Sequence, residues 1–270
     1  MQKQRVSRLA VLAEALETRG SLHLKEAAAL LGVSEMTVRR DVASCEGRFT
    51  YLGGHIVSAQ NEPGSMGYFL DREADSNIDN KREACEQAVS SIENGDTIFI
   101  DCGTTMPHLA RRIPAGLSLT VVCYAMNVAE IVCKKPNLKV ILLGGIYHPS
   151  SASFASAEAL EMLRKIGINK AFLSAGGVHE KRGVSCSNFH EVPVKQAAIA
   201  IALRKIVVVD SSKLGKVKPA FFAGLDDIDT IVTDSGLDEH YHALFAGAGI
   251  ELHAAPPRCG NIEGDRGLRR

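Results

Sequence analysis

Residues 24–41 read Leu-Lys-Glu-Ala-Ala-Ala-Leu-Leu-Gly-Val-Ser-Glu-Met-Thr-Val-Arg-Arg-Asp, and the way this stretch divides decides the first part of the fold. Leu24 to Leu31 is a short apolar helix that runs out at Gly32, a residue suited to a left-handed C-terminal cap. Ser34 then serves as an N-cap and Glu35 sits in the first turn of a further helix over about 35–45. Two short helices joined by Gly-Val-Ser describe a helix-turn-helix. Counted from Ser34 at about 100° per residue, Val38, Val42 and Cys45 fall at about 40°, 80° and 20° and form a buried face. Met36, Arg40 and Ala43 fall at about 200°, 240° and 180°, opposite to it, with Thr37 and Arg39 flanking. A helix so arranged fits a major groove, where arginine reads guanine edges or phosphates and a hydroxyl and backbone N–H groups at its start grip phosphate.

Upstream, Leu9, Leu12, Ala13 and Leu16 make one apolar stripe of a first helix over 5–18. Downstream, Phe49-Thr-Tyr-Leu and His55-Ile-Val flank Gly53-Gly54, two short runs that predict a hairpin placed as a wing. Ser34, Met36, Thr37, Arg39, Arg40, Tyr51, Gly53, Gly54 and His55 are therefore the candidate DNA contacts. A docking module with solvated arginines is the plainer alternative. Cap, turn, helix face and hairpin all agree, and that agreement favours DNA.

The texture changes near residue 60. Residues 61–77 are polar, hold Pro63, Gly64 and Gly67, and read as a linker. A helix over about 79–92 follows, and then β-branched runs at 97–102, 119–123, 138–143, 170–174, 205–210, 228–233 and 250–253. Amphipathic stretches at 125–134, 156–165, 191–204 and 238–246 lie between them, which predicts an α/β domain over 78–253 with a largely parallel sheet covered on both faces. Residues 254–270, with two prolines and three glycines, read as a disordered tail.

Parallel sheets bind ligands at the carboxyl ends of their strands. Such ends carry Asp101-Cys-Gly103-Thr104-Thr105 before a helix, Gly144-Gly145, Gly176-Gly177, and Asp210-Ser-Ser-Lys213. Strand, Gly-Thr-Thr turn and helix start can present backbone N–H groups and hydroxyls to an anion. Lys213 is a point charge for a phosphate, and Asp101 or Asp210 could accept from sugar hydroxyls. Glu191 and Lys195, one helical turn apart, either point into the same crevice or form a surface pair. No Gly-x-Gly-x-x-Gly or Walker lysine is present, so nucleotide cofactors find no support.

Glu26-Ala-Ala-Ala-Leu-Leu-Gly-Val-Ser-Glu-Met-Thr-Val-Arg-Arg-Asp41 followed by Gly53-Gly54 resembles the DNA-binding domain of the DeoR family of bacterial transcriptional repressors. Asp101-Cys-Gly-Thr-Thr105, Cys123-Tyr124-Ala-Met-Asn127, Gly144-Gly145, Glu191-x-Pro-x-Lys195 and Asp210-Ser-Ser-Lys-x-Gly215 are similar to that family's effector domain. The resemblance runs over about residues 3–253. It implies a two-domain α+β chain: a winged helix-turn-helix, then an α/β domain related to ribose-5-phosphate isomerases and coenzyme A transferases. It adds Tyr124 and Asn127 to the effector candidates and implies operator DNA, a phosphorylated sugar inducer and a homo-oligomer as partners. Residues 24–37, the Gly-Thr-Thr turn and Gly177-Val-His179 resemble the deoxyribose branch of the family, which implies deoxyribose 5-phosphate.

The competing reading is a sugar-phosphate isomerase on the same fold, with Asp101 or Glu191 as base and Lys195 or Lys213 as phosphate clamp. The first sixty residues count against it, as does the lack of a carboxylate–lysine cluster within any one loop. Seven scattered cysteines (45, 85, 102, 123, 133, 186, 259) without a Cys-x-x-Cys pair argue against disulfides and zinc and predict a reducing compartment. With no signal peptide and no apolar run near the about 20 residues of a membrane span, the expected location is the cytoplasm. Lys plus Arg and Asp plus Glu both total 31, yet residues 1–60 hold 8 basic against 6 acidic and residues 61–253 hold 19 against 23. The zero net charge excludes indiscriminate nucleic-acid binding and leaves room for a small reading head on an acidic sensor.

Overall fold

The structure is a computed structural model that describes residues 2–19, 21–43, 49–52, 55–58, 70, 73 and 76–256. The chain divides into two compact units, Met1–Arg72 and Glu73–Arg270.

The first unit holds α1 (Gln2–Arg19), β1 (Ser21–His23), α2 (Leu24–Leu31), α3 (Glu35–Ala43), β2 (Phe49–Leu52) and β3 (His55–Ser58). The hairpin β2–β3 forms as expected, and β1 joins it to give an antiparallel sheet of order β1-β3-β2. The sequence gives little sign of β1, because three residues with one apolar side chain carry no alternation. Its pairing Leu22↔Ile56 is what places Leu22 in the core. Gly32 adopts φ 63°, ψ 33°. Val33 N–H then bonds to the Ala28 carbonyl at 3.1 Å and Gly32 N–H to Ala29 at 3.3 Å, the paired bonds of a glycine-terminated helix. Leu9, Leu12, Leu16, Leu22, Leu24, Ala27, Ala28, Val38, Val42, Phe49 and Ile56 form one core. Arg8 of α1 donates Nε to the buried Asp41 of α3 at 2.8 Å, tying the first helix to the third.

The second unit opens with α4 (Ile78–Val89) and β4 (Thr97–Ile100). Next come α5 (Met106–Arg112), β5 (Leu119–Cys123), α6 (Met126–Val132) and β6 (Leu138–Leu142). A small hairpin, β7 (Ile146–His148) with β8 (Ser153–Ala155), leads to α7 (Ala157–Leu163) and β9 (Ile168–Leu173). After β10 (Gly177–His179) and β11 (Gly183–Cys186), a 3-10 turn at Phe189–Glu191 starts α8 (Val192–Ile201). The chain closes with β12 (Ala202–Val208), β13 (Ala220–Ala223), β14 (Thr230–Thr233), α9 (His240–Gly247) and β15 (Glu251–Ala254).

Seven strands form one sheet of order β15-β14-β12-β9-β4-β5-β6, with every pair parallel. The main strands fall where the β-branched runs stand, within about three residues at each end. The hairpin β7–β8 and the antiparallel sheet β10-β11-β13 were not expected; their strands have three or four residues and lie among glycines. Residues 73, 76 and 77, linker by composition, are bonded to the second unit, while most of 61–75 lies outside the described residues. The tail reading fails for its first residues. Ala254 ends β15, and the buried Ala255 donates its N–H to Thr233 at 3.1 Å. Residues 257–270 lie outside the described part. Among the described residues no helix is long and apolar enough to cross a membrane.

His108 on α5 is half-buried, and burial first, then Arg111, Arg112, Lys81 and Arg82, pushes its pKa down to about 4. Between about pH 6.5 and 4 the unfolded chain takes up a proton that the folded one refuses, so stability falls as pH falls through that window. His108→Asn should flatten that slope in denaturant titrations run from pH 7 to 4.

Candidate functional site

The reading helix α3 is built as its sequence implies. Thr37 N–H donates to Ser34 Oγ at 3.3 Å, the two hydroxyls lie 2.9 Å apart, and Val38 and Val42 are buried. Thr37 is half-buried by that contact; Met36, Arg39 and Arg40 are exposed on the opposite face, Met36 at 66%. Tyr51 and His55 lie on facing strands, paired with Ile56 and Leu52 at the end of the hairpin. Gly53, Gly54 and Cys45 lie outside the described residues.

In the second unit the chain leaves β4 outward through β5 and β6 and then returns to pair β9 on the other side of β4. The carboxyl ends of β4 and β9 lie at this switch in strand order, where such sheets bind ligands, and Asp101 N–H bonds the Phe172 carbonyl across them at 3.1 Å. Asp101 sits there fully buried. Its Oδ1 accepts from Tyr124 Oη at 2.6 Å and Cys102 N–H at 2.8 Å; its Oδ2 accepts from Ser174 N–H at 2.7 Å and Lys195 Nζ at 2.5 Å. Lys195, 1% exposed, also donates to the Ser174 carbonyl at 3.0 Å, and Glu191 Oε2 lies 3.3 Å from its Nζ. Asn188 holds the other Glu191 oxygen at 2.6 Å.

This corrects two expectations. Glu191 and Lys195 are a buried pair, not a surface one, and Asp101 has its oxygens committed within the protein, so it is not open to sugar hydroxyls. It also supplies a carboxylate–lysine cluster from two segments far apart in sequence, which no inspection of single loops could reveal. Burial works to raise the Glu191 carboxyl, but Lys195, Asn188 and Cys102 hold it below the usual value. Burial also works against the charge on Lys195, and Asp101 and Glu191 overcome it, keeping the amine well above its ordinary pKa. Burial and the neighbouring Glu191 push the Cys102 thiol far up, so it is no nucleophile.

Above this buried floor, Gly103 takes φ 102°, which a side chain would strain, and Thr104 is half-buried while Thr105 is buried. Asn127 donates Nδ2 to the Gly103 carbonyl at 3.2 Å, and its Oδ1 is buried without a partner in the structure. That leaves an acceptor beside the Gly-Thr-Thr turn. Three of the four glycines in the Gly144-Gly145 and Gly176-Gly177 pairs are closely packed. A Cβ on Gly145 would lie 2.4 Å from the Ala155 carbonyl oxygen. One on Gly176 would meet Lys218 Cγ at 2.8 Å, and one on Gly177 the Lys216 carbonyl oxygen at 2.4 Å. These glycines admit neighbouring chain, while Gly144 faces open space.

Asp210 is fully buried, accepts from Ser212 Oγ and from Asn77 Nδ2 at 3.3 Å on Oδ1, and has a partnerless Oδ2. Lys213 is not a free charge, since Glu73 Oε1 and Oε2 sit 3.1 and 3.0 Å from its Nζ. Sequence reasoning missed Ser174, Asn188 and Glu73, none of which stands in a motif, and His190, which stacks on His148 with ring centres 3.8 Å apart.

Comparison with known proteins adds to this geometry. The model of the DeoR-like helix-turn-helix domain matches residues 8–55, and that of the DeoR C terminal sensor domain matches residues 76–235. The deoxyribose operon repressor of Escherichia coli (strain K12) is 38% identical over 242 residues, 89% of this chain and 95% of the relative. A lactose phosphotransferase system repressor of Staphylococcus epidermidis is 32% identical over 231 residues, 84% and 91% of the two chains. Among solved structures, ribose 5-phosphate isomerase A of Methanocaldococcus jannaschii aligns with a TM-score of 0.40 at 17% identity, covering 53% of this chain and 57% of that one. eIF2B beta of Chaetomium thermophilum aligns at 0.46 and 14%, covering 63% and 54%. With both domain models matched in order along one chain, and relatives similar over most of their length, this protein belongs to the DeoR family of transcriptional regulators.

Proposed function

We propose that the chain is a sequence-specific repressor of a deoxyribose or (deoxy)nucleoside catabolic operon. It acts in the cytoplasm, binds operator DNA as a homo-oligomer, and is released by a phosphorylated sugar, deoxyribose 5-phosphate being the first candidate. The observation that carries the DNA reading is the exposed face of α3: Met36, Arg39 and Arg40 project from a helix capped by Ser34 and anchored by Val38 and Val42. Paired reading heads match two half-sites, which is why an oligomer is expected. The sugar assignment is supported by the 38% identity to the deoxyribose operon repressor and by the turn after β4, where Asn127 meets Gly103 and has an unpartnered buried Oδ1.

The isomerase reading is disfavoured by the same cluster that first suggests it. A general base must reach a substrate proton. Asp101, Lys195 and Glu191 spend their polar atoms on one another and on Tyr124, Ser174 and Asn188, behind a surface that leaves Asp101 no exposure. The effector is then a ligand whose binding lowers operator affinity, and reciprocally.

A mobility shift on the DNA upstream of the operon, at fixed salt, tests both parts. A specific complex that dissolves on adding deoxyribose 5-phosphate is the expected result; no specific complex at any salt would end the regulator reading. A complex that ignores this sugar but yields to another phosphorylated sugar would end only the inducer assignment. Arg40→Ala should weaken specific binding by about 1–3 kcal/mol while leaving non-specific binding less affected, as for a side chain that reads a base. An equal loss on all DNA would assign Arg40 to phosphate instead.

A further inference from the structure

Glu73 is the first residue of the second unit, and the structure grips it by both its carboxylate and its backbone. Both carboxylate oxygens meet Lys213 Nζ, at 3.0 and 3.1 Å. Its backbone carbonyl accepts from Nζ of Lys81, a lysine with no exposed surface, and from Ser76 Oγ at 3.1 Å. Asn77 stands close by in the left-handed region at φ 50°, which asparagine tolerates better than most side chains. Its Nδ2 donates to Ser212 Oγ at 3.1 Å and to Asp210 Oδ1 at 3.3 Å. Glu73 and Asn77 are thus laid on the turn that follows β12. Burial works to raise the Glu73 carboxyl, yet Lys213, Lys81 and Lys218 hold it below the usual carboxylate value.

A mostly buried lysine that meets both oxygens of one carboxylate, at the carboxyl end of a parallel strand, makes an anion subsite with an anion already in it. That anion belongs to the chain itself. Its side chain is half exposed, so it can leave without opening the core. We propose that Glu73 is an internal stand-in for the phosphate of the effector: it holds the Lys213 subsite in the operator-binding state, and a phosphate monoester dianion displaces it. The dianion brings more charge and a third oxygen to the same ammonium group. Once displaced, Glu73 keeps its carbonyl bonds to Lys81 and Ser76, and the chain arriving from the DNA-reading unit loses its side-chain anchor on the sensor. The exchange rests on the sugar-phosphate reading above for the identity of the effector alone.

The test uses the full chain at fixed ionic strength in chloride. Binding of inorganic phosphate and of deoxyribose 5-phosphate is followed by calorimetry for the unaltered protein, Glu73→Gln, Glu73→Ala and Lys213→Ala. Both Glu73 variants should bind inorganic phosphate at least about fivefold more tightly, and Lys213→Ala should lose that binding. Glu73→Gln should also bind operator more weakly with no ligand present, since it lacks the contact that defines the operator-binding state. Phosphate affinity unchanged or weakened in both Glu73 variants, or unaffected in Lys213→Ala, would overturn the exchange. Unchanged operator affinity in Glu73→Gln would overturn its role in coupling. If both Glu73 variants tighten phosphate while deoxyribose 5-phosphate binds no better than phosphate, the exchange stands and the sugar assignment falls.

Discussion

Lys195→Ala should lower the stability of the second unit by about 3–5 kcal/mol at neutral pH, the loss expected when one partner of a buried ion cluster is removed. The amine lies 2.5 Å from Asp101 and 3.3 Å from Glu191, and all three groups are almost without exposure. Without the cation two carboxylates remain in a volume that water does not reach. Lys195→Met, which replaces the ammonium that stands 5.1 Å over the Phe222 ring by an apolar side chain, should recover the packing but not the charge. The pH dependence separates the two contributions. Glu191 is held below its ordinary value in the unaltered fold, so its contribution is present above about pH 4.3 and lost as pH falls through its folded pKa. In the variants that depression disappears, and protonation of the stranded Glu191 relieves it. The gap between variant and unaltered protein should therefore narrow between pH 7 and 4.5 in denaturant titrations. A gap that stays constant would mean that the loss is one of packing.

Leu12→Ala should cost about 2–5 kcal/mol in the first unit, where Leu12 is 1% exposed at the centre of the small core. A unit of this size buries little surface and has little stability to lose, so the substitution should leave the reading head largely unfolded at 37 °C. The two units have separate cores, and calorimetry should show the sensor transition unmoved while operator binding disappears. Binding of phosphate should survive. Loss of both transitions together would show that the units stabilise one another.

The reading head was the more legible half. Its signals are local: a glycine that must take a positive φ, a serine that caps, and valines spaced to one face, each with a cause within four residues. The parallel sheet was legible for the same kind of reason, since buried strands concentrate Val, Ile and Phe. The sensor site was legible only as a set of strand ends. That Asp101 would spend its oxygens on Tyr124, Ser174 and Lys195, 23, 73 and 94 positions away, depends on strand order, which no local pattern encodes. Glu73 was invisible for a related reason: a lone glutamate in a polar stretch gains its meaning from Lys213, 140 residues on.

The strand order has a further consequence, for the order of events during synthesis. An interior strand of the sheet, β4, is laid down first, but the central strand β9 beside it emerges some seventy residues later and the clamp from Lys195 later still. Contacts of such separation close slowly. The reading head, with its core drawn from residues 9–56, can close as soon as it clears the ribosome. A ribosome that stalls before residue 195 would thus present a head able to compact, joined to a sensor half with Asp101 and Tyr124 still unclamped and the strands around them bare. In this protein the part that recognises DNA matures before the part that restrains it.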